Sequence, residues 1–202
     1  MNLRYIYCAA ICLFSIYHKP ITCNAFISDT RSAWKKIPSD AIVQVFTQRA
    51  ELDFLQPYRT PDTYPVRGSG FFINNDGHIV TNAHVVDQAI AIWIQIPSCG
   101  KRLVKVDLMS VYPEKDLAVL KIADEECTYL AEVFESIPFL PTGNSDTVRR
   151  TDKTLALGYP LGQESLKSST GIISGREFVM GSKMIQMDTP INPGNSGGPL
   201  LD

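Results

Sequence analysis

The sequence predicts an all-β fold built from antiparallel strands. Short runs rich in β-branched and aromatic residues alternate with Gly, Pro, Asn and Asp, as in strands joined by turns. No long stretch repeats apolar residues at the period of a helix. Many short strands separated by turn residues are typical of a β-barrel. The predicted strands cover residues 41–47, 70–74, 79–81, 91–96, 104–109, 117–122, 154–158 and 169–174.

Length and composition predict one compact unit. The chain has 202 residues, with 19 Lys and Arg against 21 Asp and Glu, so no strong charge of one sign points to nucleic acid or a membrane surface as a partner. The pairs Lys35-Lys36 and Arg149-Arg150 are predicted to be solvated surface. No CxxC or His-rich spacing indicates a metal site, and we predict no cofactor.

Residues 1–25 predict a secretory signal peptide. A start that carries Arg4 precedes an apolar run too short for a comfortable membrane span, and small residues near Ala25 suit a signal peptidase. An uncleaved anchor is the alternative. Cleavage near Ala25 leaves Cys99 and Cys127 in the exported chain, and the sequence does not determine whether these two cysteines pair.

A predicted β-hairpin leads to His84. Residues 71–73 and 79–81 are β-prone, and the Asn-Asn-Asp-Gly stretch at residues 74–77 is turn chemistry that tolerates positive φ. His84 therefore follows the end of a strand, where an imidazole can accept a proton from a hydroxyl and later return it to a leaving group. A histidine with a purely structural role is the alternative.

Asp116 stands directly before the apolar strand at residues 117–122. A carboxylate beside buried strand residues has to find hydrogen-bond donors. One such use is to hold a histidine ring in the correct tautomer and to stabilise its imidazolium form. The alternative is an acid that caps the strand.

Residues 192–199, Asn-Pro-Gly-Asn-Ser-Gly-Gly-Pro, form a glycine-rich turn around Ser196. A serine hydroxyl is a weak nucleophile, so acyl transfer needs a neighbouring base and backbone N–H donors for the developing oxyanion. Gly194 and Gly197 lack Cβ atoms, which lets the backbone turn sharply and frees the N–H groups of Gly194 and Ser196 to converge. An ordinary surface turn is the alternative.

Together these segments resemble the HtrA/Deg branch of the chymotrypsin-like serine proteases. The resemblance is carried by the sequences TNAHVV at residues 81–86, DLAVL at residues 116–120 and NPGNSGGPL at residues 192–200. From about residue 42 to the end of the chain, further landmarks of the family follow in order. They lie at residues 137–145, 155–162, 169–174 and 185–188.

The resemblance implies roles for the three candidate residues. His84 is expected to be the general base, Asp116 its orienting partner and Ser196 the nucleophile, with an oxyanion hole made by the N–H groups of Gly194 and Ser196. It also implies two antiparallel β-barrels with the site in the cleft between them. The expected organisation is an N-terminal segment at 26–40, a first barrel at 41–123, a linker at 124–141 and a second barrel at 142–202.

Several loops are expected from the same resemblance. Residues 48–67 correspond to a regulatory surface loop, and residues 124–136 join the barrels, with a short helical turn at 127–134. Residues 160–168, 175–182 and 189–194 are expected to be loops that arrange the active site and switch between competent and incompetent states.

The implied protein is an exported serine endopeptidase, periplasmic or secreted, that cleaves unfolded or misfolded polypeptides. A homotrimer is also implied, with Phe26 and Trp34 as candidate contacts. After the serine motif the family continues with two strands and a closing helix, and PDZ domains commonly follow. The second barrel is therefore expected to be incomplete at its C-terminus. The alternative is a non-catalytic homologue that binds polypeptide or serves as an oligomer subunit, or an unstable fragment.

Overall fold

The computed structural model describes residues 34, 37–51, 55–56, 58–179 and 181–202. Six antiparallel strands close into a barrel in the order β1-β2-β3-β6-β5-β4. Their bounds are β1 Ile42–Glu51, β2 Asp62–Phe72, β3 His78–Thr81, β4 Ala89–Gln95, β5 Val104–Tyr112 and β6 Leu117–Ile122.

The pairing of β3 with β6 positions part of the candidate site. The two strands run antiparallel, with Thr81 opposite Ala118, so the end of β3 and the start of β6 lie at the same rim of the barrel. A short helix, α1 (Ala83–Val86), follows β3 there. A 3-10 turn over Pro113–Lys115 precedes Asp116 and β6.

A second sheet of four strands follows. Its order is β10-β7-β8-β9, with β7 at Lys153–Gly158, β8 at Lys167–Val179, β9 at Ser182–Met187 and β10 at Leu200–Leu201. Strand β10 pairs antiparallel with β7 and leads directly out of the turn that carries Ser196. The all-β fold with one closed barrel and a second, partial sheet is therefore confirmed.

Two hydrophobic clusters stabilise the molecule. The larger one fills the barrel with aliphatic side chains and Phe72. The smaller one combines Ala41, just before β1, and Ile42, its first residue, with Leu155 and Leu157 of β7 and Tyr159 directly after β7. Because this smaller cluster draws on both parts of the chain, it packs the second sheet against the barrel.

The structure differs from the sequence-based expectation in two predicted loops. Residues 48–67 were expected to be a surface loop, but β1 continues to Glu51 and β2 begins at Asp62, with these two residues paired. The expected loop at 175–182 is a tight hairpin, in which Val179 of β8 pairs with Ser182 of β9. Solvent-exposed paired strands do not need alternating apolar residues. The Pro and charged residues within 48–67 therefore led the sequence analysis to predict a loop where β1 and β2 extend.

The segment after the barrel contains a longer helix than expected. Helix α2 spans Asp124–Val133 and has three acidic residues in its first turn. Their negative charges interact favourably with the positive end of the helix dipole. Cys99 and Cys127 are both free thiols. No helix of the described residues is long and apolar enough to cross a membrane. The predicted signal peptide and Phe26 lie outside the described residues.

Candidate active site

His84 and Asp116 form a two-point contact at the barrel rim. His84 Nδ1 lies 2.7 Å from Asp116 Oδ2, and the His84 backbone N–H donates to Asp116 Oδ1 at 2.9 Å. The first contact orients the ring, and the second fixes the carboxylate relative to α1. With Nδ1 bonded to a carboxylate, Nε2 is the ring nitrogen left to exchange a proton.

The backbone of Asp116 is held in an uncommon conformation. Its φ and ψ are both 50°, in the left-handed region that Asp and Asn tolerate better than most residues. Its carbonyl accepts a hydrogen bond of 2.8 Å from the side-chain amide of Asn82, the residue that precedes α1. Asn82 therefore links the start of the histidine helix to the aspartate.

The histidine and aspartate are open to solvent. Their side chains are 57% and 45% exposed. The guanidinium of Arg49, on β1, donates to the His84 carbonyl and ties α1 to the barrel wall. At this exposure the contact orients the ring but contributes little to the free energy of folding.

The Ser196 turn depends on two glycines with positive φ. Gly194 has φ of 98° and Gly197 has φ of 84°, conformations that L side chains rarely adopt. A Cβ at Gly197 would overlap the carbonyl oxygen of Ser69 and the hydroxyl of Thr81, both in the barrel. The glycine at 197 is therefore required for the turn to approach the barrel this closely.

Hydrogen bonds within the turn set the directions of its peptide groups. The Pro193 carbonyl accepts from the Leu161 N–H at 2.7 Å, and the Asn195 carbonyl accepts from the Gly198 N–H at 2.9 Å. In a trans peptide the N–H points opposite to the preceding carbonyl. The N–H of Gly194 therefore points away from Leu161, and the N–H of Ser196 points away from Gly198.

The barrel holds the turn from the other side. The Ser69 N–H donates to the Ser196 carbonyl at 2.8 Å. A Cβ built on Gly68, the preceding residue of β2, would lie 2.8 Å from the Val85 methyl groups and 3.2 Å from the Ser196 carbonyl oxygen. Ser196 and the helix that carries His84 thus pack on the same short stretch of β2.

Two open cavities adjoin Asp116. One of about 390 Å³ lies between the barrel and the second sheet and is lined in part by Asn82, Asp116 and Gly197. The other, of about 460 Å³, is lined by His84 and Asp116 together with apolar residues of β5, including Leu108 and Val111. Asp116 lines both cavities, and His84 lines the second.

Tyr159 is the group beside the turn whose pKa is most altered. Burial raises the pKa of Tyr159 to about 12, and the negative charge of Asp40 acts in the same direction. Its hydroxyl donates to the Ile42 carbonyl at 3.1 Å, and its backbone N–H donates to Ser69 Oγ at 2.9 Å. Tyr159 therefore stays neutral and joins β7 to the first two strands.

Sequence reasoning named His84, Asp116, Gly194 and Ser196, and the structure brings the first two into direct contact. The other two lie together on the turn described above. It missed the residues that support them, which are Arg49, Ser69, Asn82 and Tyr159. Ser69 between two glycines and Asn82 two residues before His84 were the available signals. Within the described residues, no group of three or more His, Cys, Asp and Glu is arranged to hold a metal ion.

The chain is similar to known serine proteases. Residues 68–202 match the trypsin-like peptidase domain. The chain is 39% identical over 142 residues to a probable periplasmic serine endoprotease, DegP-like, of Chlamydia trachomatis, covering 68% of this chain and 26% of the relative. It is 34% identical over 161 residues to the magnetosome formation protease MamE of Paramagnetospirillum magneticum, covering 75% and 21%. The chain thus spans about a quarter of the length of these relatives.

Solved structures agree with the sequence matches. The HtrA-type protease AlgW with a tripeptide superposes with a TM-score of 0.66 at 30% identity, over 85% of this chain and 50% of that one. The same protease with a decapeptide gives a TM-score of 0.65 at 28% identity, over 85% and 55%.

Proposed function

Because the chain belongs to the trypsin-like peptidase family and its relatives are of HtrA and DegP type, we propose that it is an exported serine endopeptidase. It hydrolyses peptide bonds of unfolded or misfolded polypeptides through an acyl-enzyme on Ser196. The observation that carries the proposal is the 2.7 Å contact of His84 Nδ1 with Asp116, beside a glycine turn that presents Ser196.

In the proposed reaction, His84 Nε2 takes the proton of Ser196 Oγ while that oxygen forms a bond to the substrate carbonyl carbon. Asp116 accepts from Nδ1–H and stabilises the imidazolium that results. The negative charge that develops on the substrate oxygen is stabilised by the N–H groups of Gly194 and Ser196. This role is proposed for the two N–H groups because hydrogen bonds of the turn fix the directions in which they point.

The second half of the reaction releases both products. The tetrahedral intermediate collapses as the imidazolium gives its proton to the leaving amine, the peptide C–N bond breaks, and an ester to Ser196 remains. Water then loses a proton to His84 and attacks the ester carbonyl. The acid product departs, and the proton returns to Ser196 Oγ.

Substrate class and location follow by analogy. The AlgW structures carry a tripeptide and a decapeptide, and the cavities beside His84 and Asp116 suit an extended chain with apolar side chains. Relatives are named periplasmic, in accord with a signal peptide at residues 1–25. A homotrimer with Trp34 as one contact is part of the proposal and is tested by the mass of the purified protein in solution.

A second candidate function is polypeptide binding without catalysis. It is favoured by the exposure of the His84 and Asp116 side chains, because a polar contact that is open to water holds its geometry weakly. In this case the chain is an oligomer subunit or a binding homologue, and Ser196 is not activated.

Fluorophosphonate labelling of the full-length chain separates these candidates, with Ser196→Ala as the control. The proposed endopeptidase is labelled and cleaves casein, and both activities disappear in the Ser196→Ala protein, which keeps the parent's circular dichroism spectrum. Casein cleavage at the parental rate by Ser196→Ala contradicts the assignment of the nucleophile. A folded parent that is never labelled favours the binding function.

A further inference from the structure

Ser69 contacts the turn that carries Ser196 through both its backbone N–H and its hydroxyl. No sequence pattern predicted these contacts. It lies in β2 with no exposed surface. Its backbone N–H donates to the Ser196 carbonyl at 2.8 Å, and its hydroxyl donates to the Gly194 carbonyl at 2.7 Å. The same hydroxyl accepts from the Tyr159 N–H at 2.9 Å. One buried side chain thus provides a hydrogen-bond partner for two backbone groups, the Gly194 carbonyl and the Tyr159 N–H.

The hydroxyl acts on the peptide plane next to the proposed oxyanion donor. The Gly194 carbonyl belongs to the peptide that links residues 194 and 195, and the N–H of that peptide donates to the Asn192 carbonyl at 3.0 Å. Ser69 and Asn192 therefore hold this plane at both ends. The Leu161 N–H holds the Pro193 carbonyl, which lies in the peptide on the other side of the Gly194 Cα. With both peptide planes held, the backbone of Gly194 keeps its φ of 98°, and the direction of its N–H is fixed.

A second element is tied to the turn through Ser69. Tyr159 and Leu161 stand at the end of β7, and their N–H groups donate to Ser69 Oγ and to the Pro193 carbonyl. The segment after β7 and the Ser196 turn are consequently both bonded to the Ser69 hydroxyl of β2, and Arg67 of β2 also donates to the Gly162 carbonyl in that segment. Loss of this hydroxyl removes one hydrogen bond from each element, while the backbone N–H of Ser69 still donates to the Ser196 carbonyl.

Two other buried hydroxyls in the part of the chain that the structure describes do not have this arrangement. The Thr154 hydroxyl contacts the Thr189 hydroxyl at 2.6 Å, within the second sheet. The Thr47 hydroxyl, in the barrel, has no hydrogen-bond partner. Neither one bridges the barrel to the turn.

We propose that Ser69 is a positioning residue for the oxyanion-binding turn, acting through its hydroxyl on Gly194 and Tyr159. This inference rests on the proposed peptidase function. Ser69 does not touch substrate; it keeps the Gly194 N–H aimed at the site where the substrate oxygen becomes negative. Its removal is expected to affect the chemical step and to leave substrate binding largely unchanged.

The first test measures kcat and KM for fluorescein-labelled casein with the full-length Ser69→Ala protein. We expect kcat to fall about 10-fold to 100-fold, since loss of a whole oxyanion donor costs about 100-fold to 1,000-fold and Ser69 acts at one remove. KM is expected to stay within about twofold. Ile94→Val, a buried barrel change far from the turn, controls for lost stability and keeps the parental kcat.

The second test does not depend on activity. Amide hydrogen exchange at Tyr159 is expected to be about 10-fold faster in Ser69→Ala, because its acceptor is gone, and unchanged in Ile94→Val. Parental exchange at Tyr159, or parental kcat in an active enzyme, overturns the inference. A parent that is never labelled by fluorophosphonate contradicts the peptidase function alone, and the exchange result still decides whether Ser69 holds the turn.

Discussion

In the barrel, His84 and Asp116 meet because two paired strands end at the same rim, whereas Ser196 is placed by hydrogen bonds that reach it from outside its own sheet. The register of β3 with β6 brings the strand ends next to the histidine and the aspartate to the same rim, where Asn82 also bonds to Asp116. The serine turn relies on Ser69 of β2 and on Leu161 of the segment after β7. The two parts of the site thus depend on different interactions.

The packing of the two regions differs in the same sense. The barrel is closed and encloses the larger apolar cluster, while the second sheet has four strands in the described residues and shares its small cluster with β1. The geometry of the contact between His84 and Asp116 therefore depends on the stability of the barrel. The geometry of the serine turn depends on the packing of the second sheet against the barrel.

The largest expected effect comes from Asp116→Asn, which removes the carboxylate that orients the His84 ring at the rim of the barrel. The amide cannot stabilise the imidazolium and favours the wrong ring tautomer, so the labelling rate of Ser196 should fall about 1,000-fold to 10,000-fold. The free energy of unfolding should change little, since the side chain is 45% exposed. Fluorophosphonate kinetics and urea unfolding measure the two quantities.

Asp40→Asn is the matched control for this change. Asp40 also accepts one backbone and one side-chain hydrogen bond, but both come from Ser98 rather than from a histidine. Its variant should be labelled at a rate close to the parent's. Equal rates for Asp116→Asn and Asp40→Asn would show that Asp116 does not orient the base.

The next effect compares the two cores directly. Leu120→Ala empties part of the closed barrel, and Leu157→Ala empties part of the smaller cluster; both side chains are buried. Large-to-small changes cost about 2 to 5 kcal/mol, with the higher values where surroundings cannot collapse. We expect Leu120→Ala near the top of this range and Leu157→Ala near the bottom, measured as free energies of unfolding in urea.

The order of these two costs is the decisive result. A larger loss for Leu157→Ala would mean that the second sheet is packed as tightly as the barrel and would remove the basis of the comparison. A further sign of the difference is that Leu157→Ala should slow fluorophosphonate labelling in the folded protein, because β7 supports the segment that contacts the serine turn.

The smallest expected effect is the loss of stability at alkaline pH that is caused by Tyr159, which lies where the second sheet packs against the barrel. The pKa of Tyr159 is about 12 in the folded protein, above the ordinary value of 10. Between these values the folded state binds more protons than the unfolded state, so stability is retained below pH 10 and is lost as the pH rises from 10 to 12. Tyr159→Phe should weaken this alkaline loss in thermal unfolding scans.

Tyr112→Phe provides the reference, because Tyr112 lies in the barrel and is 50% exposed. Its alkaline unfolding profile should match the parent's. If Tyr159→Phe also matches the parent between pH 10 and pH 12, the Tyr159 hydroxyl is not buried at the contact as the structure has it.

Local patterns explain which predictions from the sequence were correct. Strands β3 and β6 combine β-branched residues with flanking turn chemistry, and both lie close to where the sequence placed them. The arms of β1 and β2 beyond the barrel were missed because their exposed residues need no apolar alternation. Strand β10 has only two residues and is defined by its partner β7.

The sequence by itself determined the all-β class, the glycine positions of the serine turn and the candidate residues His84, Asp116 and Ser196, because each is encoded within a few neighbouring residues. Only the tertiary structure decided that Asp116 reaches Nδ1 of His84 and that Ser69 supports the turn. The Ser69 hydroxyl contacts groups 125 and 90 residues away along the chain. Contacts over such separations leave no local period or propensity, and they exist only after the barrel and the second sheet have packed together.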